Sequence, residues 1–231
     1  MTVNVMKDVV LFGADTSRSR AYLSLLLQNN LRPASCVLLS PPEISVRSSF
    51  VETELFDNTT PLKDSLCTAE IEVIEVITND INSLEAVMAL DSCPQSMVIF
   101  SAAAGALAKD PLFSTGKQFL HVHPGKLPKY RGSTAMYYSL LIEEKIWVSA
   151  LLLNPEIDQG PVVDEMEATV PSDCSQLDHI YEPLMRSKML VQVLKKYQLN
   201  GKLEIIEQNS SKVPAYYVIH PLLKHIAILS Q

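Results

Sequence analysis

Unbroken apolar runs alternate with stretches of helical period along most of the chain. D-V-V-L-F-G-A at 8–14 is a continuous run closed by Gly13, the pattern of a strand buried on both faces. Thr16 or Ser17 follows as a cap for a helix running through Gln28, and after Pro33 the run A-S-C-V-L-L-S ends a second strand at Ser40. I-E-V-I-E-V-I at 71–77 alternates, which predicts a strand with one wetter face near a sheet edge. Asp80 or Asn82 caps a helix S-L-E-A-V-M-A-L that Pro94 ends, and from Ser96 a buried strand runs into small residues. The strand F-L-H-V-H, a helix T-A-M-Y-Y-S-L-L-I-E-E capped by Ser133 or Thr134, and strands V-S-A-L-L-L-N and D-E-M-E-A-T-V come next. Ser172 and Asp173 lead a long amphipathic helix through Lys196, with Leu177, Ile180, Leu184, Met189, Val193 and Leu194 as its apolar stripe. The tail holds two strand-like pieces, L-E-I-I-E and A-Y-Y-V-I-H-P, while the region from Pro41 to Ala69 loses periodicity apart from a candidate helix in F-V-E-T-E-L-F-D.

This strand–helix–strand rhythm predicts an α/β fold, a Rossmann-like, mostly parallel sheet flanked by helices with a short strand-containing C-terminal tail. Residues 1–198 read as one domain and 199–231 as an extension for dimerisation or substrate binding, its apolar I-A-I-L suiting a homodimer interface. With 231 residues and 47% hydrophobic content, the chain can bury a full core. Its net charge of −7 and pI near 5.2, without a basic stripe, argue against nucleic acid as a partner. No apolar run approaches the roughly 20 residues that span a bilayer, and the N-terminus lacks the regions of a signal peptide. A soluble, cytoplasmic protein with no membrane partner is expected. Cys36, Cys67, Cys93 and Cys174 are widely spaced, with no C-x-x-C pair, and read as reduced thiols. Neither G-x-G-x-x-G nor a Walker sequence follows the first strand, so the Gly13 turn reads as a tight βα turn.

The chemistry concentrates in F-L-H-V-H-P-G-K-L-P-K-Y-R-G at 119–132 and N-P-E-I-D-Q-G-P-V-V at 154–163. His121 and His123 share a face of their strand, and imidazoles at a buried strand end suit proton transfer. Asp158 stands at a second strand end before a Gly-Pro turn. The small residues 102–106 leave backbone uncovered, either for a flat heterocycle or for close helix packing. By ligand type, two His and one carboxylate can also hold a metal.

The pattern H-x-H-P-G-K-L-P-K-Y-R-G followed by I-D-Q-G-P-V-V resembles the 10-formyltetrahydrofolate-dependent formyltransferase family, whose motif runs Asn-x-His-Pro-Ser-Leu-Leu-Pro-x-[Phe/Tyr]-x-Gly, with a second segment ending in Asp-x-Gly-Pro. The resemblance covers most of 8–170 and implies 10-formyltetrahydrofolate as co-substrate, an amine as acceptor and no metal. It implies His123 and Asp158 as the catalytic pair, and the pterin read by Ala104, Gly105, Ala106 and Leu107 and by Asn154, Pro155, Glu156 and Ile157. Where the family has Asn, this chain has His121, expected to keep the oxyanion role as a donor. Lys129, Arg131 and Tyr137 are the expected substrate contacts, and Tyr216 and Tyr217 serve either a uracil or sugar, or packing. The first βα loop, F-G-A-D-T-S-R-S-R, lacks the glycine-rich phosphate loop of glycinamide ribonucleotide enzymes. The resemblance therefore points to a sugar N-formyltransferase acting on a nucleotide-linked amino sugar for surface glycan, and the tail resembles formyltransferases of nonulosonic pathways such as pseudaminic acid. A glycinamide ribonucleotide enzyme or a non-catalytic folate- or sugar-binding homologue are the alternatives.

Overall fold

A computed structural model of the chain describes residues 4–42, 50–103, 105–209 and 213–230. Strands β1 (Asn4–Ala14), β2 (Leu31–Ser40), β3 (Glu72–Ile77), β4 (Met97–Ser101), β5 (Gln118–His123), β6 (Ile146–Leu152) and β7 (Val162–Ala168) form one sheet in the order β3-β2-β1-β4-β5-β6-β7. β1 pairs in parallel with β2 and β4, β2 with β3 and β4 with β5, while β7 runs antiparallel to β6. This is the expected mostly parallel α/β sheet. The chain divides into two compact units, the division falling between His121 and Val122 within β5.

In the first unit, β1 and β4 are central and buried, as their unbroken apolar runs require. The alternating β3 is the edge strand. Helix α1 (Ser17–Gln28) starts at Thr16, whose hydroxyl accepts from the Ser19 N–H at 3.1 Å. Three local expectations differ. Residues 50–57 form no helix; Asp57 accepts from the N–H groups of Thr59 and Thr60 at 3.1 and 3.0 Å, and the helix of this region is the short α2 (Leu62–Thr68). Ser83, not Asp80 or Asn82, caps α3 (Leu84–Ser92) by accepting from Ala86 N–H. Asn82 instead reaches a later loop, donating to Leu107 O at 3.0 Å and accepting from Lys109 N–H at 2.9 Å, just before the single turn α4 (Asp110–Phe113).

In the second unit, α5 (Ala135–Glu143) packs on β6, and α6 (Glu182–Asn200) packs on β6 and β7. Thr134 sits at the start of α5 with φ +51°, and its hydroxyl makes no cap. The amphipathic segment is not one helix. Asp173 caps a 3-10 turn at Cys174–Gln176, a wide π turn follows at Leu177–Tyr181, and only then does α6 run, with Pro183 in its first turn and Gly201 closing it at φ +70°. The tail's two strand-like pieces shrink to single bridges at Ile206 and Tyr216. The I-A-I-L stretch lies in helix α7 (Pro221–Leu229), begun by His220 and Pro221 and leaving Leu222, Leu223, Ile226 and Leu229 exposed. Among the described residues no helix is long and apolar enough to cross a membrane.

Candidate active site

His123 ends β5 fully inside the second unit, 2% exposed. A hydrogen bond of 2.7 Å joins its Nε2 to the backbone carbonyl of Tyr130, seven residues on. Asp158 Oδ2 lies 3.4 Å from its Nδ1. A carbonyl and a carboxylate only accept, so the neutral ring donates to one of them at a time and the imidazolium to both. The motif loop makes this possible by folding back over the ring. Gly125 leaves room for it: a Cβ there would lie 2.5 Å from Tyr130 O and 2.9 Å from His123 Nε2. Ser149 of β6 holds the same loop, donating to Gly125 O at 2.7 Å and accepting from Leu127 N–H at 3.2 Å.

Asp158 comes from the turn after β6 and has φ +53°, a left-handed conformation that costs a non-glycine residue about 1–2 kcal/mol. Strain of this kind persists where the surroundings fix it. Here Gly132 N–H donates to Oδ2 at 2.8 Å, and Gln208 Nε2 donates to the Asp158 carbonyl at 3.0 Å and the Gly160 carbonyl at 2.6 Å. Gly160 must be glycine, since a Cβ would overlap the Leu152 carbonyl. The carboxylate is thereby oriented toward the imidazole, an arrangement suited to passing a proton along the Nδ1–Oδ2 edge.

The remaining expected site residues divide by environment. His121, the last residue of the first unit, is half-buried with its ring edge-on to Phe100 at 5.7 Å. Gly105, Ala106 and Leu107 lie in the loop after β4, exposed or partly so, with Gly105 at φ +79°, whereas Ala104 lies outside the described residues. Asn154, Pro155, Glu156 and Ile157 form the turn leading into Asp158, where Asn154 Oδ1 accepts from Glu156 N–H at 3.1 Å and the last three are exposed. Lys129 pairs with Glu143 at the surface. Arg131 is different, for its Nε and Nη1 are buried without a hydrogen-bond partner among the described residues. Tyr137 is 3% exposed and donates its hydroxyl to Asp178 Oδ1 at 2.6 Å, while Asp178 also pairs with Lys224 of α7. Tyr216 is packed on Tyr130 and Tyr138, with ring centroids 5.9 and 4.2 Å away, and Tyr217 is 88% exposed.

Sequence reasoning missed the Tyr130 carbonyl, the Gly132 N–H, Ser149 and Gln208. Two of these are backbone groups, invisible as residue types, and Gln208 lies in a tail with no motif. Among the described residues a cavity of about 680 Å³ lies in the first unit, lined by Leu23 and Leu27 of α1, Arg32, and Ser65 and Thr68 of α2. It contains none of the candidate residues.

No protein-family model matches the chain. In sequence it is similar to the methionyl-tRNA formyltransferase of Chloroflexus aurantiacus, 32% identical over 97 residues, 41% of this chain and 31% of that enzyme. The chain thus spans about a third of the length of that relative. In structure it is similar to an N-formyltransferase of Helicobacter canadensis in complex with folinic acid and dTDP-3-aminofucose, with TM-score 0.58, 17% identity, 90% of this chain and 70% of that one covered. It is also similar to glycinamide ribonucleotide transformylase 1 of Symbiobacterium toebii, with TM-score 0.60, 12% identity, and 87% and 94% covered. In fold the chain is thus similar to formyltransferases, and over 97 residues it is similar in sequence to the methionyl-tRNA enzyme.

Proposed function

We propose that the chain is an N-formyltransferase that moves a formyl group from 10-formyltetrahydrofolate to the amine of a nucleotide-linked amino sugar, with His123 and Asp158 as its proton-handling pair. The observation that carries this reading is the fixed Asp158–His123 edge, 3.4 Å apart and held by Gly132. Such a distance fits a proton-handling pair, since catalytic hydrogen bonds are often long until the reactants are in place. The neutral amine attacks the formyl carbon, and the carbonyl oxygen becomes an oxyanion. A proton then leaves the new ammonium and one returns to the folate nitrogen as the carbon–nitrogen bond to folate breaks. The proton is handled on the Nδ1–Oδ2 edge that His123 shares with Asp158, while the Tyr130 carbonyl keeps the ring in place through Nε2. His121, two residues earlier and on the same side of the strand, donates to the oxyanion in place of an amide. No step requires a metal.

The donor reading gains support from the exposed turn at 154–157 of the second unit, whose N–H and C=O groups suit a flat pterin. The Helicobacter neighbour was solved with folinic acid and a dTDP-linked aminosugar. Arg131 supports an anionic acceptor, because its buried Nε and Nη1 without hydrogen-bond partners among the described residues are costly and a phosphate would supply them. A glycinamide ribonucleotide reading would place the substrate phosphate on the first βα loop. There Arg20 is spent on Asp15 and Asn58 O, and Arg18 on Ser101 and Ala102 O. A pathway for surface glycan follows from the acceptor class, a cytoplasmic location from the donor, and a homodimer through the exposed apolar face of α7 from its composition.

The test is incubation with 10-formyltetrahydrofolate and a panel of free and nucleotide-linked amino sugars, with products read by mass spectrometry. A formyl gain on one sugar, abolished by His123→Ala, supports the reading; no gain on any amine, with folate bound, overturns it. His121→Asn tests the oxyanion role, and unchanged or faster turnover would remove any special part for imidazole.

A further inference from the structure

After α6 ends, the chain returns along β7. Ile206 N–H donates to Val162 O and Val162 N–H to Ile206 O, both at 2.8 Å, so residue 206 is locked in register at the edge of β7. Two residues on, the Gln208 side chain lies over the turn that carries Asp158 and donates to two of its carbonyls, those of Asp158 and Gly160. The second piece of the tail grips the other half of the site. Tyr216 N–H donates to Arg131 O at 2.8 Å and Tyr216 O accepts from Ser133 N–H at 2.9 Å, bracketing Gly132. Gly132 has φ +97°, and a Cβ there would run into the Tyr216 backbone. Ile219 N–H then donates to Thr134 Oγ1 at 2.9 Å.

We infer that this tail is a clasp that sets the position of Asp158, with Gln208 as a positioning residue. The connections form a closed circuit. Gln208 holds the backbone of Asp158, Tyr216 holds the backbone around Gly132, and Gly132 N–H holds Asp158 Oδ2. Asp158 sits in a left-handed conformation that its own backbone disfavours, so its carboxylate stays aimed only while these bonds hold. Glutamine suits the task because an amide nitrogen offers two donors to two carbonyls. Glutamate has the same length but would set oxygens against oxygens, and alanine would leave both carbonyls without this donor. The inference rests on the reading of His123 and Asp158 as the reacting pair.

The test uses the full chain as Gln208→Ala and Gln208→Glu, with two readouts. In steady-state formyl transfer, kcat should fall between about tenfold and a hundredfold, the scale expected when a reacting group is slightly misplaced, with KM for both co-substrates within about twofold. By hydrogen exchange with mass spectrometry, the peptide containing Gly132 should exchange about tenfold faster or more, since its N–H loses a fixed acceptor, while peptides of α6 keep the wild-type rate. A Gly132 peptide that exchanges as in wild type in both variants overturns the clasp, whatever happens to turnover. Faster exchange with kcat within twofold of wild type overturns the positioning role. If wild type itself transfers no formyl group, the enzymatic reading fails alone, and the exchange result still decides whether the clasp exists.

Discussion

Gly132 and Asp158, 26 positions apart, are joined by a backbone N–H donating to a carboxylate oxygen at 2.8 Å, and that same oxygen faces His123 Nδ1 at 3.4 Å. One oxygen therefore links the motif loop to the imidazole. The amide is available only because residue 132 adopts φ +97°, a region from which side chains are largely barred.

Gly132→Ala should consequently lose both stability and turnover. Backbone handedness alone costs about 1–2 kcal/mol, and the clash with the Tyr216 backbone adds to it. A lowered urea midpoint with an unchanged slope is expected. Wild-type stability in this variant would mean that the loop has another conformation.

Asp158→Asn keeps shape but removes the charge beside His123 Nδ1, which on the proposed function orients the imidazole and stabilises its cation. Turnover should fall by about 10²–10⁴, with folate affinity by calorimetry unchanged within about threefold, an energetic difference of roughly 0.7 kcal/mol. Full activity in this variant would leave Asp158 a merely structural residue.

Tyr137 separates the two views of a residue expected to touch substrate. Burial first, and then Asp178, push its phenol above the usual range, so the hydroxyl stays protonated and committed to that carboxylate. Tyr137→Phe should cost about 1 kcal/mol of stability and leave KM for the acceptor unchanged. A several-fold rise in that KM would restore Tyr137 to the substrate site.

Asp57 supplies a pH signature far from the chemistry in sequence. The Thr60 N–H first, with Thr59 adding to it, holds its carboxyl below the usual value. A depressed folded-state pKa contributes stability that is fully present above the unfolded carboxylate value near 4 and lost as pH falls through the lower folded value. The Tm difference between wild type and Asp57→Asn should therefore shrink as pH is lowered from about 5 to 3, the window set by that ordinary value. A constant difference across this range would show that the carboxylate adds nothing through its charge.

The strand–helix alternation up to Ser40 and the buried runs at β4, β5 and β6 were legible because apolar continuity is written in adjacent residues. The two ends of the site were legible for the same reason, since His123 and Asp158 follow such runs. What holds them was not. The Tyr130 carbonyl and the Gly132 amide carry no residue code, and Gln208 acts 50 residues from Asp158 through a tail whose two strand-like pieces each make only one bridge. Helix α7 was marked by His220-Pro221 before an apolar run, but the alternation in A-Y-Y-V-I-H masked that cap. Within the amphipathic segment the regular helix begins only around Pro183, in the first turn of α6, a start that the periodicity alone passes over.

The central claim is tested most directly by measuring tetrahydrofolate release from 10-formyltetrahydrofolate by wild type and His123→Ala, with amino sugars or glycinamide ribonucleotide as acceptor. Release that needs an amino sugar and is lost in the variant is the predicted result. Release with glycinamide ribonucleotide alone, or equal release by wild type and variant, would contradict it.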